Sequence, residues 1–111
     1  MKKQEPPQPG IDIPLQTIAH FCSKNYIEKL ALFGSVLTPR FRKSSDVDVL
    51  VEFKNKHVPG LIRVAELEIE LGEILGRSVD LRTPSDLSPY FRNEVVTKAY
   101  HIYGKKRFHS C

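Results

Sequence analysis

The segment "DVDVLVEF", residues 46–53, constrains this chain more than any other stretch of it. Side chains alternate across a β-strand, so Val47, Val49, Val51 and Phe53 share one face while Asp46, Asp48, Leu50 and Glu52 share the other. The first face is suited to a core. The second begins with two carboxylates whose backbone positions lie roughly 6 to 7 Å apart. Strands disfavour aspartate and like charges repel, so the pair costs stability unless a positive group compensates it.

The rest of the pattern supplies partners for that strand. Leu15, Ile18, Ala19, Cys22 and Tyr26 follow helical spacing over 15–26, and 30–33 reads as a short buried strand. The polar stretch "LTPRFRKSS", residues 37–45, contains Pro39 and predicts a turn or helical turn followed by a loop. Over 61–75, apolar residues at 61, 64, 65, 67, 71, 74 and 75 form a helical stripe that ends at Gly76, a natural C-terminal cap. "SVDLR", residues 78–82, repeats the two-residue alternation, with Val79 and Leu81 on one side and Ser78, Asp80 and Arg82 on the other. Ser88-Pro89 makes a helix start, and Phe91, Val95, Ala99 and Ile102 predict a last helix running up to Gly104. The order helix, strand, loop, strand, helix, strand, helix implies an α/β (α+β) fold: a small mixed β-sheet with helices packed on it.

At 111 residues the chain has room for one domain with a modest core, and none for a separate substrate domain. Four prolines and a glycine within residues 1–14 disfavour regular structure there. The expected organisation is a flexible leader over 1–13, a folded domain over 14–104 and a basic tail over 105–111. Hydrophobic residues make up 41% and charged residues 27%, and no apolar run approaches the roughly 20 residues of a membrane span. The N-terminus lacks the apolar stretch of a signal peptide, so a cytoplasmic address without membrane crossing is expected. Cys22 and Cys111 are too few for a disulfide framework and read as reduced thiols. His20, His57, His101 and His109 lack the spacing of a zinc site.

The net charge of +4 is modest, and Lys98, Lys105, Lys106 and Arg107 crowd the last fifteen positions. That tail reads either as a solvated end or as a contact for nucleic acid or an acidic partner. The aromatic and basic stretch 100–108 is accordingly a candidate docking surface, with helix packing and a loose tail as the plainer alternative. No stretch supplies the extended basic groove of a template-directed polymerase, so nucleic acid is not expected as a partner.

Asp46, Asp48 and Asp80 are the candidate catalytic and metal-binding residues. If the strands carrying them are neighbours, three carboxylates converge, and Mg²⁺ suits such hard oxygen ligands combined with substrate phosphates. A pair of metals held in this way serves phosphoryl or nucleotidyl transfer by in-line displacement. Gly34 and Ser35 directly follow a strand, where outward amides and a hydroxyl could cradle phosphate. Arg42 is the favoured triphosphate contact among Arg40, Arg42 and Lys43, and Ser45 completes the candidate nucleotide-binding set. Each part also has a plain reading: a turn for Gly-Ser, a polar pair at a strand edge for Asp-Val-Asp, and an ion pair with Arg82 or Arg77 for Asp80.

Gly34-Ser35, a ten-residue spacer, Asp46-Val47-Asp48 and a later Asp80 resemble the signature of the DNA polymerase β-type nucleotidyltransferase superfamily. From about residue 30 to the last predicted helix, the chain is similar to its minimal nucleotidyltransferase (MNT) branch. "LFGSVLTPRFRKSSDVDVLVEF" is especially similar to the MntA-like antitoxins of HEPN/MNT toxin-antitoxin pairs. The resemblance implies a nucleotidyltransferase fold and a type VII-like antitoxin that moves AMP from ATP to a tyrosine of a cognate HEPN ribonuclease toxin, using Mg²⁺, two ions by expectation. It further implies that Asp46 and Asp48 bind the metals, that Asp80 completes their site and helps deprotonate the tyrosine, and that Gly34 and Ser35 hold the triphosphate. The chain departs from the pattern at Thr38, where many relatives carry an arginine three residues after the serine. Two alternatives remain at this level: neutralisation of the toxin by complex formation alone, and adenylylation of a small molecule.

Overall fold

The strand Val47–Phe53 occupies the interior of a four-stranded mixed sheet in the computed structural model, which describes residues 9–104. In chain order the elements are α1 (Leu15–Lys24), β1 (Ile27–Phe33), a 3₁₀ turn at Gly34–Leu37, β2 (Val47–Phe53), α2 (Leu61–Leu75), β3 (Val79–Arg82), a second 3₁₀ turn at Pro84–Asp86, α3 (Arg92–Lys98) and β4 (Tyr100–Tyr103). The sheet runs β3-β2-β1-β4, with β2 and β3 parallel and the other two pairings antiparallel. A parallel pair needs a crossover, and α2 provides it.

One face of the sheet carries the main core. Val47, Val49 and Val51 meet Leu30 and Leu32 of β1 and are covered by Ile18, Phe21 and Cys22 of α1 and by Leu67, Leu71 and Leu75 of α2. The helix α2 ends as its sequence predicts, with Gly76 in the left-handed region at φ 70° and its amide donating back to the Gly72 carbonyl. Leu61, Ile62 and Ile69, counted in or beside the same stripe, face outward instead. Burial pushes the Cys22 thiol up to about 12, which leaves it protonated and chemically inert, and Cys111 lies outside the described residues.

The opposite face departs from the expectation in two ways. Leu50 shares it with Asp48 yet is fully buried, because Val96 of α3 and Ala99 close over it and Ala31 in a second small core. The last helix does not reach Gly104: it stops at Lys98, and residues 100–103 form an edge strand on β1. Phe91, Val95, Ala99 and Ile102 do follow helical spacing, but β1 would otherwise expose a row of unpaired amides and carbonyls, and Tyr-His-Ile-Tyr favours strand. The candidate docking stretch is thus partly an integral strand, with Tyr100 and Tyr103 packed on the core; 105–108 lie outside the described residues.

Residues ahead of α1 also take part in the fold. The Gly10 amide donates to the Val36 carbonyl at 2.9 Å, and Ile11 and Ile13 pack against the main core. No helix among the described residues is long and apolar enough to cross a membrane.

The seating of α2 is open to direct test. Leu71→Ala removes a fully buried side chain and is expected to cost about 2–5 kcal/mol, whereas Ile69→Ala, at a position 66% exposed, should stay within about 0.5 kcal/mol of the parent. Urea unfolding midpoints of the two variants provide the comparison. Equal losses would mean that α2 buries a different face.

Candidate active site

Strand register brings the acidic residues together. Asp48 sits opposite Phe33 in the β1–β2 pair and opposite Asp80 in the β2–β3 pair, so the two aspartates project side by side from the face that α3 leaves partly uncovered. Asp46 lies one residue ahead of β2 and is exposed. Burial pushes the Asp48 carboxyl above the usual carboxylate range; the charges of Asp80 and Asp46 push it the same way, while Arg82 pulls it down. Negative charge therefore accumulates at Asp48, and among the described residues no hydrogen-bond donor meets either Asp46 or Asp48.

Asp80 is differently placed. Arg82, two residues on and on the same strand face, donates from Nε to Oδ1 and from Nη2 to Oδ2, each at 3.1 Å. The fork and the Asp80 charge raise the Arg82 guanidinium further above its ordinary value, with Asp86 and Asp48 contributing. Register alone thus pairs Asp48 with Asp80, but the side chains do not assemble the expected three-carboxylate cluster. Among the described residues no group of three His, Cys, Asp or Glu is arranged to hold a metal ion. The ion pair of Asp80 with Arg82, one of the plain readings of the sequence, is formed.

Gly34 closes the site from the β1 side. Its φ of 78° is in the left-handed region, and a Cβ built there would collide with Oδ2 of Asp48. Glycine is required twice over, by backbone conformation and by the approach of the carboxylate. Ser35 follows in the 3₁₀ turn, with a hydroxyl that makes no hydrogen bond among the described residues. Thr38 closes this turn: its hydroxyl donates to the Ser35 carbonyl at 2.9 Å and accepts from the Arg40 amide at 3.2 Å.

Arg42 and Ser45 are engaged with each other. The Arg42 amide donates to Ser45 Oγ at 3.0 Å, the Ser45 amide donates to the Arg42 carbonyl at 3.0 Å, and Arg42 Nη1 donates to the Pro39 carbonyl at 3.3 Å. Among the described residues, no contact joins either side chain to a carboxylate. The sequence points to Arg82 and Arg77 only as ion-pair partners for Asp80. Alternation along β3 was the available signal for Arg82, since i and i+2 share a face. For Arg77, whose contacts reach back 35 and 32 positions, no local signal exists.

The arrangement offers carboxyl oxygens at Asp46 and Asp48 that accept no hydrogen bond among the described residues, an oriented carboxylate at Asp80, and a glycine-serine turn against the central aspartate. Oxygen-only donors of this kind fit a hard divalent cation whose remaining positions are filled by water and phosphate.

Comparison with known proteins identifies the family. The family described as "Polymerase beta, Nucleotidyltransferase" matches residues 16–108. A Methanocaldococcus jannaschii relative is 31% identical over 80 residues, which cover 71% of this chain and 83% of its own length. A Thermococcus cleftensis relative named protein adenylyltransferase MntA is 32% identical over 76 residues, 68% of this chain and 75% of its own. Among solved structures, a toxin-antitoxin with AMP-PNP superposes with a TM-score of 0.67 at 24% identity, covering 85% of this chain and 76% of the other, a likeness of fold. A tri-AMPylated Shewanella oneidensis HEPN toxin in complex with MNT antitoxin gives 0.59 at 25% identity, over 82% and 70%. With the family match spanning most of the chain and the paired aspartates in register behind Gly34-Ser35, this protein belongs to the polymerase β-type nucleotidyltransferase family.

Proposed function

We propose that the protein is a Mg²⁺-dependent protein adenylyltransferase that acts as an antitoxin, moving AMP from ATP to a tyrosine of a cognate HEPN toxin. The observation that carries the reading is the side-by-side register of Asp48 and Asp80, with Gly34 pressed against Asp48. It is supported by the relative named protein adenylyltransferase MntA and by the fold shared with an MNT antitoxin complexed with a tri-AMPylated toxin.

In this reading Asp46 and Asp48 hold the metal, and Gly34 and Ser35 receive the triphosphate, with the free Ser35 hydroxyl as donor. A Mg²⁺ ion held by Asp46 and Asp48 would supply positive charge to offset that of the phosphates. The tyrosine oxygen bonds to the α-phosphorus as the bond from that phosphorus to the bridging α,β-oxygen breaks. Asp80 accepts the phenolic proton: the Arg82 fork uses one lone pair on each of its oxygens, and each oxygen keeps another. Arg82 fixes the direction of that carboxylate, and Arg42 reaches phosphate after leaving the Pro39 carbonyl.

Intact mass of the co-expressed toxin tests the reading. Wild type should add one or more AMP units. Asp46→Ala/Asp48→Ala should reduce modification by about a hundredfold or more, since it removes several kcal/mol of charge stabilisation. An unmodified toxin that still co-purifies and is still neutralised would replace catalysis with neutralisation by binding.

A second expectation concerns pH. The folded-state carboxyl of Asp48 lies above its unfolded value, so its contribution to stability is present below about pH 3.9 and lost as pH rises through the raised folded value. With EDTA at pH 7, Asp48→Asn should therefore melt higher than wild type, and the difference should vanish towards pH 3. Mg²⁺ with a non-hydrolysable ATP analogue should raise the melting midpoint of wild type and leave Asp48→Asn unmoved. Equal melting of the two proteins at pH 7 without metal would contradict this account of the site.

A further inference from the structure

Asp46 is the one site carboxylate outside the sheet, so something other than strand pairing must fix it. It is exposed, it lies just before β2, and among the described residues it accepts no hydrogen bond. Its direction is set by the backbone on either side. On one side, the Val47 amide donates to the Ser78 carbonyl at 2.8 Å. On the other, Arg77 Nη2 donates to the Arg42 carbonyl at 2.6 Å and lies 3.4 Å from the Ser45 carbonyl. Both anchors belong to consecutive residues, Arg77 and Ser78, at the corner between α2 and β3.

That corner is itself fixed. Gly76 caps α2, and the Arg77 amide donates to the Gly72 carbonyl at 3.0 Å. The guanidinium stacks on the Phe41 ring, 4.4 Å from its centroid, so a single planar group grips the loop by one ring and two carbonyls. Arg42 and Ser45 close a turn between these points. A lysine could not match this, because an ammonium lacks both the planar face and the fork of donors.

We propose that Arg77 is a positioning residue which, through the Arg42 and Ser45 carbonyls, holds Asp46 where it meets the metal and the triphosphate. The inference rests on the nucleotidyl-transfer reading and deepens it. It gives Arg42 and Ser45 a backbone function in the apo protein, as the segment that Arg77 grips. Groups that orient metal ligands without touching the metal are worth about 10–100-fold in metal affinity.

The test uses Arg77→Met, which keeps the stem and removes the donors, and Arg77→Lys, which keeps the charge and can reach one carbonyl. Mn²⁺ is titrated calorimetrically in the presence of a non-hydrolysable ATP analogue, and amide exchange is followed over 41–47 without ligand. Arg77→Met should bind Mn²⁺ about tenfold more weakly or worse and exchange faster over that loop. Arg77→Lys should fall between it and wild type, and it carries the test if Arg77→Met fails to fold. In turnover assays the apparent metal constant should rise while kcat at saturating metal changes little.

Wild-type Mn²⁺ affinity in the Arg77 variants, beside a clear loss in Asp46→Asn, would overturn the positioning role and leave the catalytic reading in place, even if melting midpoints fall. Wild-type affinity in Asp46→Asn as well would overturn both. Unchanged amide exchange over 41–47 in Arg77→Met would also defeat the proposal, because the grip would then not exist.

Discussion

The pairing of β2 with β3 is the contact on which the rest of this molecule depends. Because side chains alternate, one parallel register serves two purposes: it lines up Val47 with Val79 and Val49 with Leu81 on the core face, and Asp48 with Asp80 on the other. A slip of one residue would place an aspartate among the leucines of α2 and take the acidic pair apart. Burial of the valines therefore fixes the position of the carboxylates, and the core acts as the scaffold of the site.

That scaffold holds a group the fold would not choose for itself. Asp48 is partly buried, has Asp80 and Asp46 nearby, both of which push its carboxyl above the usual carboxylate range, and among the described residues accepts no hydrogen bond that would offset this. The surrounding structure must outweigh this cost, and it does so with β-branched residues and leucines packed over the strand's other face. Arg82 offsets part of the repulsion by holding Asp80, whereas Asp46 and Asp48 accept no hydrogen bond among the described residues.

Periodicity made the central strand, β3 and α2 legible in the sequence, because each has an apolar stripe of one clear period and α2 has a glycine where it should stop. Asp48 and Asp80 were legible too, since they lie on those elements, and Asp46 and the Gly-Ser turn were legible because each directly adjoins a strand. What escaped depends on distant parts of the chain. Nothing local in residues 99–103 says that β1 lacks a partner on that side, so a helical spacing of apolar residues outweighed a strand-forming composition. The burial of Leu50 required knowing where α3 lands. Whether Asp80 joins a cluster or an ion pair was left open by the residues, because alternation puts both Asp48 and Arg82 within its reach, and rotamers rather than register decide between them.

The division of labour between the two arginines near the site follows from what each can touch. Arg82 projects from a strand onto a carboxylate and acts on charge. Arg77 projects from a helix terminus onto carbonyls and an aromatic ring and acts on backbone position. Charge can be supplied by any cation at about the right distance, but the location of a loop carboxylate cannot, since a shift of about 1 Å is enough to lose a catalytic geometry. A core of this size cannot bury its acidic loop to fix it, because burial would desolvate the carboxylates further. Holding the loop by its carbonyls leaves the Asp46 side chain solvated and still determines where it stands.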